Sequence, residues 1–525
     1  MSDLHISKNR PFSTANLLKF CEEKYPRLLA GGDVLFLAIT GDFTDGISDF
    51  LSFGMFGQQE GDWQALRLAM AACEKQGLPI LTIRGNHDSF GVESFQSESN
   101  KFFSELQTQF RTHSKRSGLE LVASHKETGS YALVHKESGS RHIFLEGSRI
   151  VPSPHQFHGE FSVSQEVWLK AVIDGPSNHG PTFVFMHYPL GSLTPDSRER
   201  LVGAAQGAAG PVTYLSGHIH SVIGKRGVQS LNSYDGIDEL QLSDFKWSGV
   251  VRKVDISSAV FVDIPTIDLG SVSASLLLDP VNRDSERSLV AVYSELPIDS
   301  VSHCDDAKRT LRPERAFSHI HVFSGEAKCL QVSTVDKSGK HATTQVVPVD
   351  NRLFKHSVAR WIFAHWFESL QLILLTLYVA LVIASRQVFL RSKNVLLTIY
   401  LVTSPLIPTT LWEGVFNRKW IVSNGVAMFD LETRDIFLDP DTTRIGPTML
   451  VYLFFALAIN WRLASHRSRA ATIAWTVVLV LLTLVDARMI IGRGGLRSVL
   501  LSPHTAFLAY VWWLWNSPTP KVKTL

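Results

Sequence analysis

Apolar and polar positions along this chain fall into three successive rhythms. Up to about residue 255, short apolar runs alternate with stretches whose apolar residues recur at helical spacing. Val34-Leu35-Phe36-Leu37-Ala38-Ile39-Thr40, Pro79-Ile80-Leu81-Thr82-Ile83, Thr182-Phe183-Val184-Phe185 and Val212-Thr213-Tyr214-Leu215 are largely apolar, as strands covered on both faces are. Helices are predicted over 14–28 and 62–76, and further strands at 131–134, 142–145, 239–242 and 250–254. Residues 1–255 are therefore expected to form an α/β domain of stacked sheets flanked by helices, with the polar stretch 90–129 as a helical or loop excursion. Residues 256–350 change rhythm to short β-rich segments at 273–278, 288–294, 319–324, 329–334 and 343–347, which predicts a small all-β sandwich of immunoglobulin-like kind.

The third rhythm begins near residue 360. Long apolar runs at 370–385, 395–412, 448–461, 470–485 and 499–515 approach the ~20 residues a bilayer span needs, so 351–525 is predicted to be a transmembrane region of four or five helices. Trp361, Trp366, Trp512, Trp513 and Trp515 stand where interfacial aromatic belts would, while Pro405 and Pro408 predict a kink or a re-entrant turn in the second run. Asp486, Arg488 and His504 fall near predicted helix ends and read as interfacial groups. Arg386, Arg391, Lys393, Arg462, Arg467 and Arg469 favour cytoplasmic loops after the first and third runs, against Arg352, Lys355, Arg360, Arg488, Arg493 and Arg497 on the other side of the vote. The expectation is a multi-pass protein of an endomembrane or the plasma membrane, with its first half lumenal or extracellular.

Composition agrees with that division. At 525 residues the chain has room for about three domains on the usual length prior. Hydrophobic residues make up 45% and charged residues only 19%, and a formal charge of +2 argues against nucleic acid as a partner. Of four cysteines, Cys304 and Cys329 lie in the expected sandwich and could pair in an oxidising lumen, whereas Cys21 and Cys73 have no evident partner. No Asn is followed by x-Ser or x-Thr, so there is no glycosylation acceptor to support lumenal exposure.

Candidate chemistry gathers at the ends of the early strands. Gly41-Asp42-Phe43-Thr44-Asp45, Gly85-Asn86-His87-Asp88, Met186-His187-Tyr188-Pro189 and Gly217-His218-Ile219-His220 each follow an apolar run, and Asp3-Leu4-His5 lies upstream. Open α/β sheets place ligands at that edge. Carboxylate, amide oxygen and imidazole suit manganese, iron or zinc, and no thiol joins them.

In order, these segments resemble the calcineurin-like metallophosphoesterase family, whose pattern is D-x-H, G-D-x-x-D, G-N-H-D/E, a lone His and G-H-x-H. The resemblance covers roughly the first half of the chain. It implies a four-layer αββα sandwich and two divalent ions, Mn, Fe or Zn, one held by Asp3, His5, Asp42 and His220 and the other by Asp42, Asn86, His187 and His218. It further implies hydrolysis of a phosphomonoester or phosphodiester by a hydroxide held between two metals. His87 is expected to be general acid or phosphoryl donor, with Asp88 orienting its ring. Asp45 reads as a turn residue, Tyr188 and Pro189 as packing and turn, and His113, His125, His135, His142, His155, His158 and His179 as surface or loop histidines.

The order of phosphoesterase, sandwich and membrane helices, with the stretch 240–263, resembles the transmembrane protein 62 family. Members of the metallophosphoesterase family place D-x-H directly after a hydrophobic strand, whereas only Met1 and Ser2 precede Asp3. The expectation is that this chain lacks that strand or is shortened at its start. The leading reading is a membrane-anchored phosphoesterase acting on a phosphorylated small molecule or lipid near the bilayer. A catalytically lapsed scaffold or receptor, and a transporter or channel with a regulatory phosphoesterase half, are the alternatives.

Overall fold

The computed structural model describes most of residues 1–350, apart from stretches such as 47–56, 93–99, 103–117, 149–158, 219–230 and 279–287. Beyond 350 it describes short strands between 408 and 438 and a few helical residues between 473 and 512.

Alternation along the strands decides the layers. Strands β1 (Leu37–Thr40) and β2 (Ile80–Ile83) run parallel. Their neighbours form a mixed sheet of seven: β3 (Leu119–Ser124), β4 (Tyr131–His135), β5 (Arg141–Phe144), β6 (Thr182–Phe185), β7 (Val212–Ser216), β8 (Leu231–Tyr234) and β9 (Ile237–Gln241), in the order β3-β4-β5-β6-β7-β9-β8. Because successive side chains point to opposite faces, Phe183 and Phe185 of β6 meet Leu81 and Ile83 of β2 in a core between the two sheets, whereas Val184 faces the other way. That second face is covered by Leu169 and Val172 of the helix Val163–Ile173 and Leu201 and Val202 of the helix Pro195–Ala205. Leu37 and Ile39 of β1 bury instead against Leu17, Trp63, Leu66 and Met70 of the helices Pro11–Lys19 and Glu60–Glu74. The sequence of layers is thus helices, sheet, sheet, helices.

The first helical stretch is less regular than its spacing predicts. Between Pro11–Lys19 and Tyr25–Leu29 the chain makes a wider π turn, Phe20–Lys24. This turn carries Cys21, which is disulfide-bonded to Cys73 of the helix Glu60–Glu74. The expectation that these two lacked partners is corrected: 52 residues apart in sequence, both are fully buried in one helix-on-helix contact.

Residues 119–124 are the other departure. They form edge strand β3 rather than excursion, and were illegible because mainly Leu119 turns inward while Leu121 and Val122 stay exposed. His125, His135 and His142 are likewise buried, against the expectation of surface positions. His142 lies parallel to Phe183 with ring centroids 5.5 Å apart, and its Nε2 meets Ser140 Oγ at 2.9 Å.

Strands β10 (Val250–Val254) and β11 (Phe261–Pro265) form a hairpin that packs Phe261 and Val262 into the same core as β1. Then β12 (Val272–Leu278), β13 (Ser288–Ser294), β14 (Ile298–His303), β15 (Arg312–Phe317), β16 (Ile320–Ser324), β17 (Leu330–Val335), β18 (His341–Val346) and β19 (Val349–Asp350) build a sheet of five, β15-β16-β13-β12-β19, and a sheet of three, β14-β17-β18. Val290, Val292, Leu330 and Val332 close the core between them, and Cys304 bonds to Cys329. The two halves touch through Lys24, whose Nζ lies 2.8 Å from Oε1 of Glu295.

Among the described residues no helix is long and apolar enough to cross a membrane. Predicted runs 370–385 and 448–461 lie outside the described residues. The end of the run 395–412 is corrected: Pro408–Glu413 is strand β20, pairing antiparallel with β21 (Lys419–Ser423) in a sheet completed by β22 (Ala427–Asp430) and β23 (Ile436–Leu438). Residues 473–481 in the fourth run are helical, and most of the fifth lies outside the described residues.

Candidate metal centre

Parallel pairing carries four strand exits to one edge. Gly41-Asp42 leaves β1, Gly85-Asn86 follows β2, Met186-His187 leaves β6 and Gly217-His218 leaves β7. Asp3 and His5 arrive alongside, because the chain from Met1 to Ile6 runs beside 38–45: Asp3 N–H donates to the Gly41 carbonyl at 3.0 Å and His5 N–H to that of Asp42 at 2.8 Å.

Glycine is required where these loops meet. A Cβ on Gly85 would collide with the Asp42 carboxylate and main-chain nitrogen, and one on Gly217 with the side chains of Ser2 and Asp3. The backbone itself is strained here: Asp3, His5, Asp42 and His218 are the non-glycine residues with positive φ among the described residues. Each such conformation costs on the order of 1–3 kcal/mol and persists where surrounding structure enforces it.

Two triads of candidate ligand atoms result, Asp3-His5-Asp42 and Asp42-His187-His218, each within 4.8 Å of one another. Asp42 belongs to both. Its Oδ2 is buried and lies 3.4 Å from Nε2 of His5 and 3.4 Å from Nε2 of His187. Asn86 Oδ1 and His218 Nδ1 approach His187 Nε2 at 3.0 and 3.1 Å. Carbonyls only accept, so the 2.8 Å contact of His187 Nδ1 with the Thr40 carbonyl fixes the proton on Nδ1 and leaves the Nε2 lone pair toward the cluster. A buried carboxylate oxygen facing imidazole and amide lone pairs is a donor set that a divalent cation fits. His220 lies outside the described residues.

The charges respond accordingly. Burial pushes the Asp42 carboxyl up, but His187, His87 and His5 together outweigh it and hold it well below the usual carboxylate range. Burial would lower His187, yet the neighbouring Asp42 raises it to about 9.

Comparison with known proteins agrees with the geometry. Residues 1–222 match the calcineurin-like phosphoesterase family model. Such a domain implies metal-dependent hydrolysis of a phosphoric ester. A relative, transmembrane protein 62 of Mus musculus, is 24% identical over 253 residues, covering 47% of this chain and 35% of that protein. The chain thus spans about a third of that relative's length.

Within residues 1–222, two roles differ from the sequence reading. Asp88 does not orient His87: its Oδ1 accepts from the N–H groups of Phe43 and Thr44 at 2.9 and 3.2 Å, and its Oδ2 from that of Gly85 at 2.9 Å. It staples the Asp42 loop to the Asn86 loop. Burial, with the charge of Asp42, pushes Asp88 up to about 7 against those N–H groups. The ring of His87 is oriented by Asp45, whose carbonyl accepts from Nδ1 at 2.5 Å.

Asp45 is also more than a turn residue. Its Oδ1 lies 3.2 Å from His5 Nδ1 and 3.6 Å from Lys246 Nζ. Burial opposes, but the hydrogen bond with His5 prevails and its carboxyl is lowered to about 2. Sequence reasoning missed Lys246 altogether. The strand-exit rule would have found it, since Lys246 follows β9 by five residues and β9 neighbours β7.

Tyr188 packs as expected, its ring 5.0 Å from that of His218. Behind the Gly85 turn, Arg84 Nε pairs with Glu146 Oε2 at 2.9 Å in a buried ion pair. An apolar cavity of about 410 Å³ between β1, β6 and β10 touches Met1 and Thr40, but none of the candidate ligands lines it.

Proposed function

We propose that the phosphoesterase domain hydrolyses a phosphomonoester or phosphodiester with the help of two divalent cations bridged by Asp42. The observation that carries this is Asp42 Oδ2, buried and equidistant from the imidazoles of His5 and His187. Asp3 and His5 would hold one cation, and Asn86, His187 and His218 the other. When bound, such a pair polarises phosphoryl oxygens and makes hydroxide available near neutral pH.

The chain's own residues supply orientation and proton transfer. Asp42 must be a carboxylate, because a neutral side chain would leave the mutual repulsion of two cations uncompensated. The main-chain N–H of His87 donates to Asp42 Oδ1 at 2.9 Å, so the bridging group keeps one oxygen pinned while Oδ2 faces the cluster. With Nδ1 committed to the Asp45 carbonyl, His87 has Nε2 left to meet a phosphoryl oxygen or to hand a proton to the leaving group. Its partial exposure suits a residue that meets substrate.

The same reading divides the chain into a phosphoesterase domain that keeps the β10–β11 hairpin, a β-sandwich from β12 to about residue 350 and, apart from the sheet β20–β23, a membrane-anchoring region beyond it. Two disulfides in the first 350 residues and the likeness to a protein named for its transmembrane segments favour a lumenal or extracellular catalytic half on a membrane anchor. A lipid or glycolipid phosphate held near the bilayer is then the natural substrate class. Purified protein with Mn²⁺ is expected to cleave an aryl phosphate mono- or diester, and Asp42→Asn to abolish turnover. Equal activity in wild type and Asp42→Asn, or none in wild type with two cations bound, rejects the proposal.

A further inference from the structure

Lys246 is a lysine in an unusual place, with only 7% of its surface exposed. It belongs to the short helix Phe245–Ser248, whose N–H groups clamp the upstream ligand segment: Phe245 donates to the Ser2 carbonyl at 2.9 Å and Lys246 to that of Asp3 at 3.2 Å. Its side chain then turns toward Asp45, Nζ to Oδ1 at 3.6 Å. Asp45 in turn faces two histidines, by its carboxylate toward Nδ1 of His5 and by its carbonyl toward Nδ1 of His87. The rings of His5 and His87 meet edge to face at 4.5 Å.

His5, Asp45 and His87 are near enough to form a third cation cluster. The ammonium beside Asp45 argues against that use, since a cation there would face a buried positive charge. The arrangement instead has the form of an outer-shell relay, in which a carboxylate holds the far nitrogen of a metal-binding imidazole and is itself held in place.

We propose that Lys246 is a positioning residue of the metal centre, holding the Asp45 carboxylate against Nδ1 of His5 so that Nε2 of His5 stays turned toward Asp42. This rests on the two-cation reading above. Two effects of the ammonium oppose each other, which makes the sign of a single measurement decisive. By Coulomb repulsion alone, removing a buried positive charge near the centre tightens cation binding. By positioning, removing it frees Asp45 and loosens His5, and loss of an outer-shell partner costs roughly 10–100-fold in metal affinity.

The test is Mn²⁺ titration of the metal-stripped full chain, read as the number of ions bound and the affinity of each. Wild type binds two, Lys246→Met binds the weaker one about tenfold less tightly, and Lys246→Arg, which keeps the charge at similar reach, recovers most of the loss. Unchanged or tighter binding by Lys246→Met overturns the proposal while leaving the two-cation reading intact. Fewer than two ions on wild type overturns that reading instead, and the proposal with it. If Lys246→Met does not fold, Asp45→Asn carries the same test: it keeps an oxygen for His5 but no charge for Lys246. Weaker binding is again expected, and unchanged affinity again overturns the assignment.

Discussion

Replacing Gly85 by Ala adds one methyl group at the point where the two ligand loops touch. That carbon would stand 2.7 Å from Cγ of Asp42, where ordinary contact is 3.4–4 Å, and it also meets the Asp42 main-chain nitrogen. A side-chain rotation therefore cannot relieve it. The Asp42 loop must retreat by about 1 Å, a displacement of a reacting geometry that costs on the order of 100-fold in rate. Overpacking of this kind costs about 1–3 kcal/mol of stability. The assay is kcat/KM on an aryl phosphate ester with Mn²⁺, beside thermal melting of the same samples. Gly203→Ala is the control: a Cβ there meets nothing within 4 Å, and in the helix Pro195–Ala205 it is expected to stabilise by up to about 1 kcal/mol at unchanged activity. Near-wild-type kcat/KM in Gly85→Ala would refute the claim that this contact sets the position of Asp42.

The Cys21–Cys73 bond closes a long loop, with a sequence separation of 52. Its removal in Cys21→Ser/Cys73→Ser is expected to lower unfolding free energy by about 4 kcal/mol in the chain-entropy picture, read by denaturant melts; no change, or recovery of both thiols free by mass spectrometry, would count against the bond. Burial lowers His142 from 6.5 to about 3, so the folded state favours the neutral ring. Its contribution is intact above the unfolded value of 6.5 and erodes as pH falls, by about 2 kcal/mol between pH 7 and pH 5. His142→Phe should flatten that part of the stability profile, and an unchanged slope would contradict the assignment.

Strand exits were the most legible part of the sequence. An apolar run ending in Gly-Asp, Gly-Asn-His-Asp or Gly-His states both where the sheet edge lies and which donors it presents, and Asp3, His5, Asp42, Asn86, His187 and His218 gather there. What stayed hidden depended on partners distant in the chain. Cys21 and Cys73 meet because two helices pack, a fact that spacing along the chain does not encode. Asp88 looked like a partner for the adjacent His87, but a buried carboxylate seeks N–H groups, and it finds them on Gly85 of its own loop and on Phe43 and Thr44 of the neighbouring one. Strand β3 was misread because its outer face is solvated and only part of the alternation survives. Lys246 lies past a strand exit but carries no motif, and what brings it to the cluster is the helix Phe245–Ser248 folding back over Asp3.

The central claim is that Asp42 is shared by two cations. Metal content measured by mass spectrometry on purified wild type and Asp42→Asn, after equilibration with Mn²⁺ and removal of the excess, tests it without reference to any substrate. Two ions per wild-type chain and at most one in Asp42→Asn are predicted. Two in both proteins, or fewer than two in wild type, would contradict the account.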